Sequence, residues 1–335
     1  MFIRLLYKCI KVIEKLSKKY FFSILKREKY SDHINAFPDV SSFNDKVSIV
    51  MTGLIVEKQD FTLETLKLYK KRYPSVQLIL SIWDNYEKSL ISKFTKIGVE
   101  VVLNSEPDNI GFGYVNSQIK SNKMGILKAK ESGCEYCLKT RTDQRIYKHD
   151  FILYLISLIK LFPIKNNSNN NPRKRLITTS TNTFKYRLYG VNDMFMFGNI
   201  NDILNYWNVE YDQRHIDDKS IADIMNNNVT TLEYAKANIC EVYLCTNYLK
   251  NINYEINYSF KDYWKILANY FCIIDSYSID FFWYKYNRWD ERKRYQNVKR
   301  RLNEEFMFSD WINSYNELIQ YNESEEQKLF KINMK

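Results

Sequence analysis

From residue 47 onward, short apolar runs alternate with amphipathic segments long enough to be helices, and this alternation constrains the chain more than any other feature. Val47-Ser48-Ile49-Val50-Met51 reads as a buried strand that stops at Thr52-Gly53. Leu63, Leu66, Tyr69 and Tyr73 then recur at helical spacing until Pro74 ends the run. Residues 76–83 are almost continuously apolar, as in strands covered on both faces. Leu90, Ile91, Phe94 and Ile97 share one helix face, and Gly98 supplies the turn after it. Residues 99–103 read as a third strand, 104–113 as a loop, 115–130 as a helix and 136–140 as a fourth strand. Strands spaced by helices fold as a doubly wound, mostly parallel α/β sheet with helices on both faces.

The pattern loosens further on. A very apolar helix is expected over 151–162, strands over 176–180 and 191–197, and helices over 201–207 and 218–225. Another helix opens at Glu241. Three segments result: a basic amphipathic helix and linker over 1–45, the α/β unit over 46–250, and a helical, aromatic and basic C-terminal extension over 251–335. In the last of these, residues 263–286 are expected to form helices packed on a core. No run of about 18 apolar residues is present that would serve as a transmembrane helix.

Charge narrows the partners. The net charge of +11 favours anionic ones, although the excess is mostly Lys in a chain also rich in Asn, Ile and Tyr, the profile of an AT-rich coding bias. The first 30 residues place Arg4, Lys8, Lys11, Lys15, Lys18 and Lys19 among Phe2, Ile3, Leu5, Leu6, Ile10, Ile13 and Leu16. Such a helix either lies on an anionic bilayer surface or packs on the protein. It lacks the apolar core and cleavage site of a secretory signal. A basic run over 288–301, interleaved with Trp289, Tyr295 and Val298, suits lipid headgroups, and no nucleic-acid partner is expected. The six cysteines do not form a disulfide framework, and Cys134 and Cys137 read as buried thiols, which points to the cytoplasm.

The chemistry gathers where the fourth strand ends. Lys139, Arg141, Asp143 and Arg145 fall within seven residues, and ligands of open α/β sheets bind beyond the carboxyl ends of their strands. Cations there neutralise phosphate, and a carboxylate holds a metal or a sugar hydroxyl. The competing reading is an ion pair of Asp143 with Arg141 or Arg145. Asp193 stands inside an apolar run, where an ionised group is costly unless paired or functional. Glu241 stands in the first turn of its helix, which the helix dipole already favours. Either acid is a candidate base for a sugar transfer. The dinucleotide glycine fingerprint, the Walker loop and the nucleophile elbow are all absent.

Several stretches, in order, resemble the WavE-type lipopolysaccharide-synthesis proteins, regarded as glycosyltransferases of GT-A-like fold. They are Val47-Ser48-Ile49-Val50-Met51-Thr52-Gly53; Tyr73-Pro74 with Leu80-Ser81-Ile82-Trp83; and Pro107-Asp108-Asn109-Ile110-Gly111 with Asn116, Gln118-Ile119 and Gly125. Leu138-Lys139-Thr140-Arg141-Thr142-Asp143, Asp193-Met194-Phe195-Met196-Phe197-Gly198 and Glu241-Val242-Tyr243-Leu244 complete the set. The resemblance implies a nucleotide-sugar donor held by Thr52, Gly53, Ser81, Trp83, Asn116, Lys139, Arg141 and Asp143. It places Asp143 as the metal ligand of a D-x-D-like motif, with Mg²⁺ or Mn²⁺ as the cofactor. Arg141 replaces the first acid of that motif, so a weak or dispensable metal is expected, with Arg141 and Lys139 offsetting the diphosphate. Glu241 or Asp193 would be the catalytic base. The expected partners are a lipid-linked glycan acceptor and the inner face of the inner membrane. The rival is a non-catalytic envelope-assembly protein of the same fold that binds sugar nucleotides.

Overall fold

The structure is a computed structural model that describes residues 2–17, 27–33, 46–164, 174–215, 229–285 and 304–318, with 324 and 327–328. The helix expected over 218–225 and the basic run over 288–301 lie outside these residues.

The alternating segment folds as read. Strand β1 (Val47–Thr52) is followed by helix α2 (Phe61–Arg72), β2 (Gln77–Trp83), α3 (Lys88–Thr95), β3 (Glu100–Asn104), α4 (Val115–Glu131) and β4 (Tyr136–Arg141). Ahead of them, α1 spans Phe2–Ser17. After β4 come a short strand β5 (Gln144–Ile146), α5 (Phe151–Leu161), β6 (Leu176–Thr179), β7 (Met196–Asn199) and α6 (Ile200–Trp207). Then follow α7 (Thr231–Lys236), α8 (Glu241–Asn251), α9 (Phe260–Tyr270), β8 (Phe271–Ile274), β9 (Phe281–Trp283) and α10 (Phe308–Tyr315).

Seven strands form one sheet in the order β3-β2-β1-β4-β7-β6-β8, and β5 and β9 form a separate two-stranded sheet. Within the large sheet only β7 runs antiparallel to its neighbours. This is the expected mostly parallel sheet with helices around it. Every residue of β1 is buried, which is why its sequence shows no polar alternation. Gly125 lets α4 lie directly on the sheet: a Cβ there would come within 2.5 Å of Val50 and 2.9 Å of Ser81.

Three expectations change. The run over 191–197 becomes a strand only from Met196, because the Thr178 hydroxyl bonds the carbonyls of Asn192 and Phe195 and holds the chain off the ladder. Residues 263–286, expected to be helical, turn into strands after α9. β8 pairs in parallel with β6 along the sheet edge, and β9 pairs antiparallel with β5. The C-terminal stretch thus contributes strands to both sheets, because β-branched and aromatic runs such as Phe271–Ile274 fit a pleated, buried surface.

Arg145 also differs from its expected place beside Asp143. It is 1% exposed and points into the protein. Its guanidinium donates to the Thr65 hydroxyl, the carbonyls of Phe61, Glu28 and Lys29, and the Tyr147 hydroxyl, and lies 4.4 Å from the Phe61 ring centre. Residues 28 and 29 are thereby fastened to the β5–β9 sheet. Arg27 adds hydrogen bonds to Asp280, and Glu64 accepts from Ser31. Replacing Arg145 by Leu removes the side-chain donor from the Lys29 carbonyl and one of the donors from those of Glu28 and Phe61, which keep Tyr147 and Thr65. The expected loss is about 3 kcal/mol, measured by urea unfolding, with amide exchange rising first over residues 27–33.

Candidate functional site

The carboxyl ends of β1, β2 and β4 meet the segment before β7 and the first turn of α8. Asp143 lies just past β4 and is 8% exposed. Arg141 grips it with both arms of its fork, Nε to Oδ1 at 2.8 Å and a terminal nitrogen to Oδ2 at 3.0 Å. The Trp283 indole donates to Oδ2 at 2.9 Å, and the Tyr284 amide bonds the Asp143 carbonyl at 2.9 Å. Burial opposes ionisation of this carboxyl, but Arg141 and Trp283 outweigh it and hold the group below its ordinary range. The ion-pair alternative is therefore what the side chains form, with Arg141 as the partner.

A second group sits beside it. Lys139 is 2% exposed, bonds the Asp193 carbonyl and lies 4.7 Å from the Trp207 ring centre. Burial pushes its ammonium down to about 8. Lys139 thus faces inward, where it ties the Asp193 segment to β4. It does not share the partly open position of Arg141, because α6 and its Trp207 cover it. Asp193 is 5% exposed, in a segment anchored by Asn192, whose amide donates to Thr179 and whose carbonyl oxygen accepts from the Met194 amide.

Glu241 opens α8 across from Asp193. Burial, and then the charge of Asp193, push its carboxyl up, while Arg187 partly offsets them. Cys240, just before it, has φ 43° and ψ −105°, a backbone region that L residues rarely occupy. Its thiol donates to the Gly113 carbonyl at 3.6 Å. Strain of this kind costs about 1–3 kcal/mol and collects at functional sites. Here it aims the first turn of α8 at Asp193.

The remaining expected donor contacts divide. Thr52 and Gly53 end β1 beside the motif: the Thr142 amide bonds the Thr52 carbonyl at 3.0 Å, and the Thr142 hydroxyl bonds the Leu54 carbonyl. Gly53 has φ 112°, and a Cβ there would sit 3.2 Å from the Thr142 hydroxyl. Trp83 closes β2, largely buried. Ser81 sits opposite Thr52 in the β1–β2 ladder and Asn116 in the first turn of α4, but both side chains have other partners. The Ser81 hydroxyl is fully buried, donating to the Ser121 carbonyl and accepting from Asn104. Asn116 donates to the carbonyls of Asn109 and Asp212 and accepts from the Asp212 amide, joining two loops. Both side chains are spent on packing.

Among the described residues, no three His, Cys, Asp or Glu side chains converge as metal ligands. The one acid of the D-x-D-like motif already accepts three N–H donors. Mg²⁺ wants octahedral oxygen coordination, and this donor set does not fit it. Trp283 and Arg187 were not found from sequence. Trp283 lies 140 residues from Asp143 in a run that reads as core, and Arg187 carries no local pattern.

The sequence profile of the WavE lipopolysaccharide synthesis family matches residues 47–335. No curated protein matches the chain. Solved structures similar to it include a cytidylyltransferase from Leptospira borgpetersenii serovar Hardjo-bovis, at 13% identity and TM-score 0.30, covering 49% of this chain and 64% of that one. Another is mannose-1-phosphate geranyltransferase from Thermus thermophilus, at 14% and 0.27, covering 48% and 53%. A third is a glycosyltransferase involved in glycosylation of the major capsid of PBCV-1, at 11% and 0.26, covering 48% and 65%. The chain therefore spans less than two thirds of each. At TM-scores this low the likeness says nothing about chemistry.

The acid pair has a thermodynamic signature. An unfolded chain releases the Glu241 proton near its ordinary value of 4.5, whereas the folded chain keeps it to about 7. Between these values the folded state binds more protons, so stability is full below the lower pH and declines as pH rises through the upper one. Glu241→Gln removes that decline. Its melting temperature relative to the parent should rise more at pH 8 than at pH 5, measured by scanning calorimetry.

Proposed function

The chain belongs to the WavE lipopolysaccharide synthesis family, and from that premise we propose that it is a glycosyltransferase using a nucleotide-sugar donor and a growing lipopolysaccharide acceptor. One observation carries the reading: at the end of β4 the Arg141 guanidinium is partly open, and the charge of Asp193, in the segment leading into β7, reaches Glu241 at the start of α8. The guanidinium of Arg141 takes the donor diphosphate, near Thr52 and Gly53. The acceptor hydroxyl oxygen attacks the anomeric carbon, the bond from that carbon to the diphosphate oxygen breaks, and the nucleoside diphosphate leaves with the electron pair. The hydroxyl proton passes to Glu241, whose raised proton affinity suits a base working near neutral pH. Asp193 opposes the ionisation of Glu241 and orients the acceptor. Lys139 fixes the Asp193 segment.

The acceptor is lipid-linked in this reading, so the enzyme works at the cytoplasmic face of the inner membrane as a peripheral protein. No described helix is long and apolar enough to cross a bilayer. What supports a surface role is α1. Leu5, Val12, Ile13 and Leu16 are exposed, while Lys8, Lys11 and Lys15 follow at helical spacing on an adjoining edge. The Arg145 fastening fixes residues 28 and 29, eleven and twelve positions after α1 ends, to β5 next to Asp143.

Two outcomes are expected. In a screen of nucleotide sugars with extracted lipid acceptors, Glu241→Gln should lower kcat by about 100-fold or more with donor KM little changed. The parent rate should climb through pH 7, a limb missing from the variant. Unchanged turnover in Glu241→Gln would take the base role from Glu241, whereas no turnover by the parent with any donor would favour the non-catalytic rival. Separately, the whole protein should sediment with phosphatidylglycerol vesicles but not phosphatidylcholine ones. Leu5→Glu combined with Leu16→Glu should abolish that, and salt should weaken it.

A further inference from the structure

We infer that Arg214 is a positioning residue for the proposed base: it clamps the turn that leads into Glu241 against the loop between β3 and α4. The inference rests on the transferase reading and deepens it. Arg214 stands between α6 and α7. Its Nε reaches Oδ1 and Oδ2 of Asp212 at 2.8 and 2.9 Å, and one terminal nitrogen reaches Oδ2 at 2.7 Å. That nitrogen also donates to the Asn238 carbonyl at 2.6 Å, and the other donates to the Ala237 carbonyl. Both carbonyls belong to residues 237–240, the turn between α7 and α8. The guanidinium carbon lies 5.7 Å from the ring centre of Tyr243, in the first turn of α8.

The turn needs such a hold. Asn238 and Cys240 have φ of 49° and 43°, a region that Asn enters more readily than Cys does. At the other end of the clamp, the Asp212 side chain is 4% exposed. The Asn116 side chain donates to the Asp212 carbonyl at 2.8 Å and accepts from its amide at 2.7 Å. Asn109 donates to the carbonyls of Asp212 and Arg214. Gly111 has φ 72°, and a Cβ there would lie 2.8 Å from the Asn116 side chain. The Asn109, Gly111 and Asn116 pattern of the sequence is thus the far anchor of the clamp. A second link runs from the Cys240 thiol to the Gly113 carbonyl, and a Cβ on Gly113 would meet that sulfur at 2.2 Å. The clamp fixes Glu241 relative to the groups that face it. Those are Asp193 before β7, Arg187, Tyr206 of α6, Tyr234 of α7 and Cys240. A slackened turn lets Glu241 draw away from Asp193, and the carboxyl then loses part of its upward push.

The test is steady-state kinetics of the whole protein across pH, with extracted lipid acceptors and a panel of UDP-, GDP- and TDP-sugars, well below the melting temperature. Arg214→Lys keeps the charge beside Asp212 but lacks the planar fork that reaches both carbonyls. It should lower kcat by about 10-fold with donor KM little changed. Its rate limb, expected at about pH 7 in the parent, should move to lower pH. Asp212→Asn, a milder change that loosens the fork, should move the limb the same way. Arg175→Lys is the control. Arg175 likewise donates to backbone carbonyls, those of Phe162, Pro163, Ala268 and Asn269, but at the amino end of β6, away from the site. It should lower the melting temperature and leave kcat and the limb in place. Parental kcat in Arg214→Lys, or a fall in kcat with the limb unmoved, overturns the inference while leaving a transferase. No turnover by the parent with any donor overturns the transferase reading, and this inference with it.

Discussion

Three residues after β4 pair with three residues near position 282, and most of what is distinctive in this molecule follows from that contact. The pairing of β5 with β9 divides the cations of the motif. Arg141 stays at the sheet end, gripping Asp143. Arg145, on β5, turns inward and spends its donors on five partners. Without the second strand Trp283 would not reach Asp143, and residues 27–33 would lose much of their fastening. One short antiparallel ladder thus connects residues 27–33, the motif and the C-terminal stretch.

The acids of the candidate site sit in contrasting surroundings. Asp143 has N–H donors on both oxygens, which hold it below the ordinary carboxylate range against the effect of burial. Glu241 feels burial and the charge of Asp193, which push its carboxyl the other way. Environments that drive carboxyl groups in opposite directions fit the roles proposed for them. Lys139 interacts with both Asp193 and Asp143, its ammonium destabilised by burial yet fastened to the Asp193 carbonyl. The odd backbone at Cys240 belongs to the same arrangement, since it sets where α8 begins.

Legibility in the sequence tracked the range of the interaction involved. The first four strands were readable because burial on both faces writes itself into consecutive residues, as in β1 and β2. Glu241 and Asp193 stood out as acids in unusual local settings, and in the structure the charge of Asp193 reaches Glu241. Ser81 and Asn116 were legible as parts of a resemblance but not as packing residues, because their partners Ser121 and Asp212 lie 40 and 96 positions away. The short strand β7 was over-read because the run of apolar residues before it is pinned by Thr178 and Asn192 instead of by a ladder.

By itself the sequence determined the α/β class, the place where the strands end in charge, and the identities of the acids, because those depend on periodicity and local composition. The tertiary structure alone decided which cation faces the site, that Asp143 is held by Trp283, and that the C-terminal stretch supplies strands. Each of those depends on a pairing between residues that lie far apart along the chain. No local pattern encodes such a pairing, since the same side chains would serve equally well in many other registers.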